Sequence, residues 1–486
     1  MKRKRILFIF LFFVSIIALS QKSKEKTPDH SKDKQEIISS LSGKYDYYKE
    51  KALKIWDYAE VGYKEEKSTA LLQQTLKENG FIIQSGVAGI PTAFIASYGS
   101  GSPVIGILAE FDALPGMSQQ AVAEKKPIEG KNAGQACGHH LFGVASAAAG
   151  IEIKKLIEQK KISGTIRVYG CPAEEGGSGK VYMVRTGLFN DVDVVIHWHP
   201  DEHNSVTMTS ALANKSAKFR FKGIAAHASM SPDKGRSALD AVEAMDNMVN
   251  MMREHIPQET RIHYVITNGG KAPNIVPDFA EVYYYVRHPQ RDVVLSIFDR
   301  VEKAAQGAAL GTGTEMEYEV IGGTHDLLLN KTLAEDMQKN LELVGGVTYT
   351  PQEIDFGKKL QSTFNFTYPT IESGAEVKPL KAIVNGGQGS TDVGDVSYVV
   401  PTVGLETATW IPGTPAHSWQ AVACGGTDIG TKGMMVAAKT MALTAFDLFI
   451  TPGLIVNAKE EFKKNKGDYQ YKALLGDRTP ALNYRD

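Results

Sequence analysis

Cysteine is scarce. The 486 residues hold three, Cys137, Cys171 and Cys424. A small, odd number in a chain of this length excludes a disulfide-built scaffold and leaves at least one free thiol, a candidate metal thiolate. Charge of one sign is lacking too: 54 Lys and Arg face 55 Asp and Glu, a formal net charge of −1. No global basic field draws in nucleic acid and no nucleic-acid motif is present, so no nucleic-acid partner is expected. Neither internal repeats nor low-complexity tracts occur, which sets aside a repeat array. The apolar run Ile6–Leu19 falls short of a comfortable membrane span. It follows Lys2, Arg3, Lys4 and Arg5, ends in Ala18-Leu19-Ser20, and has no stop-transfer pattern or lipid-accepting cysteine after it. Residues 1–20 therefore read as a cleavable secretory signal of a bacterial periplasmic or secreted protein, the alternative being a retained anchor. Residues 21–35 are polar and lysine-rich and read as a disordered spacer, with no stable membrane insertion once the signal is cut.

What remains is ordinary for a soluble globular protein, with 43% hydrophobic and 22% charged residues. Its length calls for two domains. Residues 36–89 read as mostly helical. Apolar strands follow at 104–109, 164–170 and 192–198, with an alanine-rich helix at 143–160. Such alternation predicts an α/β domain with a mixed, mainly parallel sheet sandwiched by helices, of the phosphorylase/hydrolase-like kind. Residues 214–324 change pattern to β-α-β-β-α-β, a ferredoxin-like α+β unit inserted as a lid or dimerisation domain. The catalytic domain would then comprise 36–213 and 325–486, the latter ending in a charged tail with a helical start.

Polar groups collect after the strand ends, where such sheets place their sites. Cys137-Gly138-His139-His140 brings a thiol and an imidazole around one glycine, a donor pair that suits zinc and similar metals. Alone it reads as a buried cysteine beside a histidine pair. Glu174-Glu175 closes a strand ahead of Gly176-Gly177-Ser178-Gly179. Adjacent carboxylates there call for a cation or a proton, though an isolated pair reads more simply as a solvated acidic turn. His197-Trp198-His199-Pro200 puts two histidines on one side of a strand, and His417 stands in a turn. Together these supply a thiolate, imidazoles and carboxylates enough for two metals sharing a water, with one glutamate free to serve as general base. In the insert, His227 and Asn274 are neutral donors suited to an oxyanion, and Arg287 can grip a carboxylate; otherwise they hold loops and domain contacts together.

At these residues the chain resembles the dimetal amidohydrolase and peptidase family of aminoacylases, carboxypeptidase G-type enzymes and plant auxin-conjugate hydrolases. The stretches that carry the resemblance are Ala109-Glu-Phe-Asp-Ala-Leu-Pro-Gly116, Cys137-Gly-His-His-Leu-Phe-Gly143, Pro172-Ala-Glu-Glu-Gly-Gly177, Trp198-His-Pro200, Ala226-His-Ala228, Arg261-Ile-His-Tyr264, Ala272-Pro-Asn274, Gly389-Ser-Thr-Asp392 and Pro412-Gly-Thr-Pro-Ala-His-Ser-Trp-Gln420. They run in family order over about residues 40–450. The resemblance implies Cys137, His139, Glu175, His199 and His417 as ligands of two divalent ions, zinc or manganese, with Cys137 bridging. It implies Glu174 as general base and later acid, and His227 as an oxyanion donor reaching into a partner subunit's site. Asn274 and Arg287 become contacts for a substrate carboxylate. It prefers His199 to His197 because proline follows His199. Two departures border the site: Gln135 stands where many relatives have histidine, and His140 where they have asparagine or aspartate. The implied reaction is hydrolysis of an amide in an N-acyl or N-aroyl amino acid with a free carboxylate, of the para-aminobenzoyl-glutamate kind. A dipeptidase and a catalytically silent conjugate-binding relative are the alternatives. A homodimer through the insert is implied as well, with a second, different subunit as the alternative partner.

Overall fold

Strands of the first half, joined by one from the second, assemble into one seven-stranded sheet. The computed structural model describes residues 29–387 and 389–485; the signal and residues 21–28 of the spacer lie outside the described residues. In chain order the strands of the two large sheets are β1 Ile82–Ser85, β2 Phe94–Gly99, β3 Val104–Ala109, β4 Thr165–Gly170, β5 Val194–Asp201, β6 Ser205–Val206, then, in the insert, β7 Ala213–Lys222, β8 Arg261–Asn268, β9 Phe279–His288 and β10 Glu315–Thr324, and finally β11 Thr402–Ala408. The large sheet runs β1-β2-β4-β3-β5-β11-β6. Its centre is parallel, β3 pairing with β4 and β5, and β5 with β11. Antiparallel pairs close both edges. All six residues of β3 are buried, as a central strand covered on both faces requires.

Helices cover the sheet. The alanine-rich helix His139–Glu158 is buried along most of its length and packs on β3, β4 and β5. Against it lies Asp428–Ile450, among the described residues the one helix long and apolar enough to cross a membrane. With 89% of its apolar window buried it is a core helix.

The insert has its own core, with Phe219, Phe221, Val242, Val282 and Phe298 at its centre. Its sheet runs β8-β9-β7-β10, antiparallel throughout, the ferredoxin-like arrangement expected. Along β9 burial alternates strictly, so helices cover one face and the other stays half-exposed. The two crossings into the catalytic domain are paired: Asn214 lies opposite Thr324 and its side-chain amide donates to the Thr324 hydroxyl at 2.8 Å.

Three local expectations need correction. The first helix starts at Ser31, inside the expected spacer, because Ile37 and Leu41 are buried and Lys34 reaches Asn340 and Asp447 in the core. The stretch to 89 is mostly helical as read, except near its end, where strand β1 pairs with β2 as a hairpin at the sheet edge. The alanine-rich helix begins at His139 rather than 143.

Candidate metal centre and active site

Gly138 decides how the site comes together. Its φ is +75°, and a Cβ there would stand 2.7 Å from the Pro200 ring. Only glycine lets the chain pass under Pro200 and turn into the helix at His139. Cys137 and His139 thereby meet His199, which β5 delivers. The Cys137 Sγ lies 3.4 Å from His199 Nε2. His199 Nδ1 donates to the Pro200 carbonyl at 2.8 Å, which fixes the tautomer and leaves the Nε2 lone pair facing the sulfur.

His139 is fully buried between two carboxylates. Nδ1 lies 2.9 Å from Asp112 Oδ1, and Nε2 lies 3.1 Å from Glu110 Oε2. Both acids follow the end of β3. Asp112 also accepts from the Glu175 amide at 2.9 Å, so one carboxylate braces two parts of the site. Glu174 and Glu175 follow β4 in a tight turn whose flanking Ala173 and Ser178 have positive φ. The Glu175 carboxylate lies 2.9 Å from His417 Nε2, and the His417 amide donates to the Ala136 carbonyl at 3.0 Å. Beneath them, buried Lys180 bridges Glu110 and Asp392 at 2.6 Å each.

Three donor groups have their ligand atoms mutually within 4.8 Å: Cys137, His139 and His199; Cys137, Glu175 and His417; and Glu110, His139 and Glu174. Cys137 belongs to two of them. The buried His139 Nε2, Glu110 Oε2 and Glu175 Oε1 make no aligned hydrogen bond; their approaches, His139 to Glu110 and Glu175 to His417, are ion-pair contacts only. Native interiors rarely leave such atoms unsatisfied, and cations among them would satisfy all three. One thiolate with imidazoles and a carboxylate is a donor set that zinc accepts readily. The residues present therefore fit a two-metal site.

Electrostatics agree with that fit. Burial drives the Cys137 thiol well above its ordinary range, so in the metal-free chain it is protonated and a cation is needed to make the thiolate. Burial likewise raises Glu174 well above the usual carboxylate range, aided by Glu110 and Glu175 and opposed by Lys180. Burial would raise Glu175 as well, but His417 and His139 outweigh it and hold it low. His199 is lowered by burial and then by His139, favouring the neutral, ligating form.

A cavity of about 620 Å³ opens over these groups. Its floor is Cys137, Glu174, Glu175, His199 and His417; its far wall is the insert, through Asn214, Ser216, Tyr285, Arg287 and Thr324. Arg287 thus faces the site. His227 and Asn274 do not line this cavity. They sit together on an exposed loop of the insert, where the Ala228 amide donates to the Asn274 carbonyl at 3.1 Å. His197 belongs to none of the three donor groups and packs over Gly404, and burial lowers it to about 3. His140 is anchored to the Gly425 carbonyl at 3.0 Å, and Gln135 accepts from the His140 amide. Cys171 and Cys424 are buried thiols outside the three donor groups.

Sequence reasoning gave no role to Asp112, Glu110, Lys180, Asp392 or Arg485. For the first two a signal existed: two carboxylates directly after a buried strand, beside the strand that leads into Glu174. Lys180 and Asp392 lie 212 residues apart and carry no local sign of their pairing.

Residues 213–312 match the description of a peptidase dimerisation domain. The chain is 43% identical to a subunit of the p-aminobenzoyl-glutamate hydrolase of Escherichia coli K12, over 86% of this chain and 92% of that protein. It is 29% identical to the mouse (Mus musculus) Xaa-Arg dipeptidase, over 84% and 87% of the two chains. Among solved structures, a dinuclear metal binding peptidase of the M20 family from Bacillus subtilis shares the fold at 16% identity and a TM-score of 0.56, covering 85% of this chain and 99% of the other.

Proposed function

The chain belongs to the M20 family of metal-dependent hydrolases that act on amide bonds, and from that premise we propose that it cleaves N-aroyl or N-acyl derivatives of an amino acid, with para-aminobenzoyl-glutamate as the type substrate. The observation that carries the reading is a cavity with the shared-thiol donor groups and Glu174 on its floor and Arg287 on its opposite wall. The relative named for that substrate is the more similar of the two above. A dipeptide ending in arginine would ask for an unpaired acid away from the metal ligands; the remaining lining acid, Asp392, is held by Lys180.

Cys137, His139 and His199 would hold one divalent ion, and Cys137, Glu175 and His417 the other, zinc or manganese. When bound, these ions polarise the amide carbonyl and acidify a water. Glu174 accepts the water's proton and passes it to the leaving nitrogen; its raised proton affinity suits the second task. The amide C–N bond breaks, the hydroxyl stays on the acyl carbon, and the proton goes to the amine. Arg287 orients the substrate through a carboxylate. Asp112 does not touch the substrate; it fixes His139 and the Glu175 backbone. His227 and Asn274, remote from this chain's own cavity, serve the site of a partner, as the dimerisation-domain match supports. That partner is a second copy of this chain, or a different polypeptide as the relative's being one subunit of its enzyme allows. Residues 1–20 direct export to the periplasm or medium.

The test is a substrate panel for purified 29–486 loaded with zinc or manganese. Chelator-sensitive release of glutamate from para-aminobenzoyl-glutamate, faster than cleavage of Xaa-Arg dipeptides, is expected. Faster dipeptide cleavage would reassign the substrate, and no cleavage of any amide by metal-loaded protein would remove the proposal.

A further inference from the structure

Residues 467–485 do not trail off as a charged tail. After the helix Pro452–Lys466 the chain turns back across the junction of the two domains. Tyr469 donates to or accepts from His325 Nε2 at 2.8 Å, next to the crossing residue Thr324. Leu474 and Leu475 are buried, and Leu474 lies directly under Gly323 of β10. Arg185 donates to the Gly476 carbonyl at 2.7 Å, and Arg478 donates to the Ile321 carbonyl and pairs with Glu319. The segment ends at the metal centre. Tyr484 and Arg485 both donate to the Glu175 carbonyl, at 2.8 and 2.6 Å, while the Tyr484 ring packs on Tyr63.

Arg485 thereby enters the cavity that Arg287 enters from the insert. Among the described residues they are the two arginines that line it, and no lysine does. In each the buried Nε has no partner, and the Ser390 hydroxyl, which also lines the cavity, has none either. Three desolvated donors facing one cavity require acceptors, and guanidinium forks suit carboxylates best. The two arginines are anchored on different domains, Arg287 on β9 and Arg485 on the Glu175 carbonyl.

We infer that Arg485 is a specificity-determining residue: the strap 467–485 carries it to the site to bind the second carboxylate of a dicarboxylic amino acid, while Arg287 binds the first. This rests on the amide-hydrolase reading above. It narrows the substrates to conjugates of acidic amino acids such as glutamate.

The test compares glutamate and glutamine conjugates of para-aminobenzoate, which differ in one charge at nearly equal size, in wild type and Arg485→Gln, with metal content measured for both. Wild type is expected to favour the glutamate conjugate, and Arg485→Gln to lower that preference in kcat/KM by on the order of 10- to 100-fold, chiefly through KM, the range for a lost charge-assisted hydrogen bond. Arg485→Lys should restore part of it. Equal losses on both substrates would mean that Arg485 merely supports Glu175 or shares the first carboxylate, and would overturn the inference; so would an unchanged ratio. If metal-loaded protein cleaves neither conjugate, para-aminobenzoyl-glutamate falls as the type substrate, and calorimetry of free glutamate against free glutamine still decides the role of Arg485: tighter glutamate binding that Arg485→Gln abolishes supports it, and equal binding of the two refutes it.

Discussion

Replacing Glu174 with glutamine removes a proton carrier and leaves shape and packing nearly unchanged. Glu174 lies in a buried acidic group with Glu110, Glu175 and Asp392, whose mutual repulsion adds to burial in raising its proton affinity. A neutral amide relieves that repulsion, so the fold should tolerate it. The two donor groups proposed to hold metal, Cys137 with His139 and His199 and Cys137 with Glu175 and His417, do not include Glu174, so metal content should stay at the wild-type level. A positioned general base contributes about 10²- to 10⁴-fold to rate, or roughly 3 to 5 kcal/mol of barrier. Glu174→Gln should therefore lose about that factor in kcat, with KM little changed. The metal-free proteins give a second readout. Because the folded-state proton affinity of Glu174 is raised, its contribution to stability is present at acid pH and declines as pH rises and the folded protein is forced to release the proton. Metal-free wild type should then lose melting temperature relative to Glu174→Gln on going from acid to alkaline pH. Turnover within a few-fold of wild type, in protein with its full metal, would refute the assignment of the base. Loss of metal along with turnover would instead make Glu174 a ligand.

Asp112→Asn should leave the fold intact but weaken metal binding by about 10- to 100-fold, as loss of a carboxylate that orients a ligating histidine does; chelator competition measures it, and unchanged affinity would dismiss the bracing role. Asp336 is pushed up to about 7 by burial and then by Asp447, with Lys34 opposing. An unfolded aspartate titrates near 4, so between about pH 4 and about pH 7 the unfolded chain releases a proton that the folded one keeps, and stability declines over that window. Asp336→Asn should remove that decline: the melting temperature of wild type minus variant should fall from about pH 4 to about pH 8, and a constant difference would contradict the shift.

The legible parts of this molecule are those written in local pattern. Apolar runs marked β3, β4 and β5, and the chemistry-bearing residues directly after or at their ends marked the site. The β-α-β-β-α-β insert was legible because each element is regular and β9 alternates cleanly. The β1–β2 hairpin was not, because β1 is four largely exposed residues and carries no buried alternation. The preference for His199 over His197 came from resemblance; the physical difference is that His199 is brought to Cys137 by the turn at Gly138 under Pro200, while His197 is spent on packing over Gly404. Arg485 and the strap were invisible because their partners, Glu175, His325 and Ile321, lie more than a hundred residues away in sequence. Lys180, too, owes its place to distant partners: a buried lysine is costly unless paired, and Asp392 supplies one of its two charges from across the chain.

The central claim is that two ions share Cys137 and that amide cleavage depends on both. The direct measurement is activity against added zinc or manganese in metal-stripped protein, with bound metal counted at each step. The account predicts no cleavage without metal and a rise that saturates at two ions per chain, with Cys137→Ala holding fewer ions and cleaving little. Cleavage at full rate in stripped protein, or a Cys137→Ala protein that binds two ions as tightly as wild type and turns over normally, would contradict it.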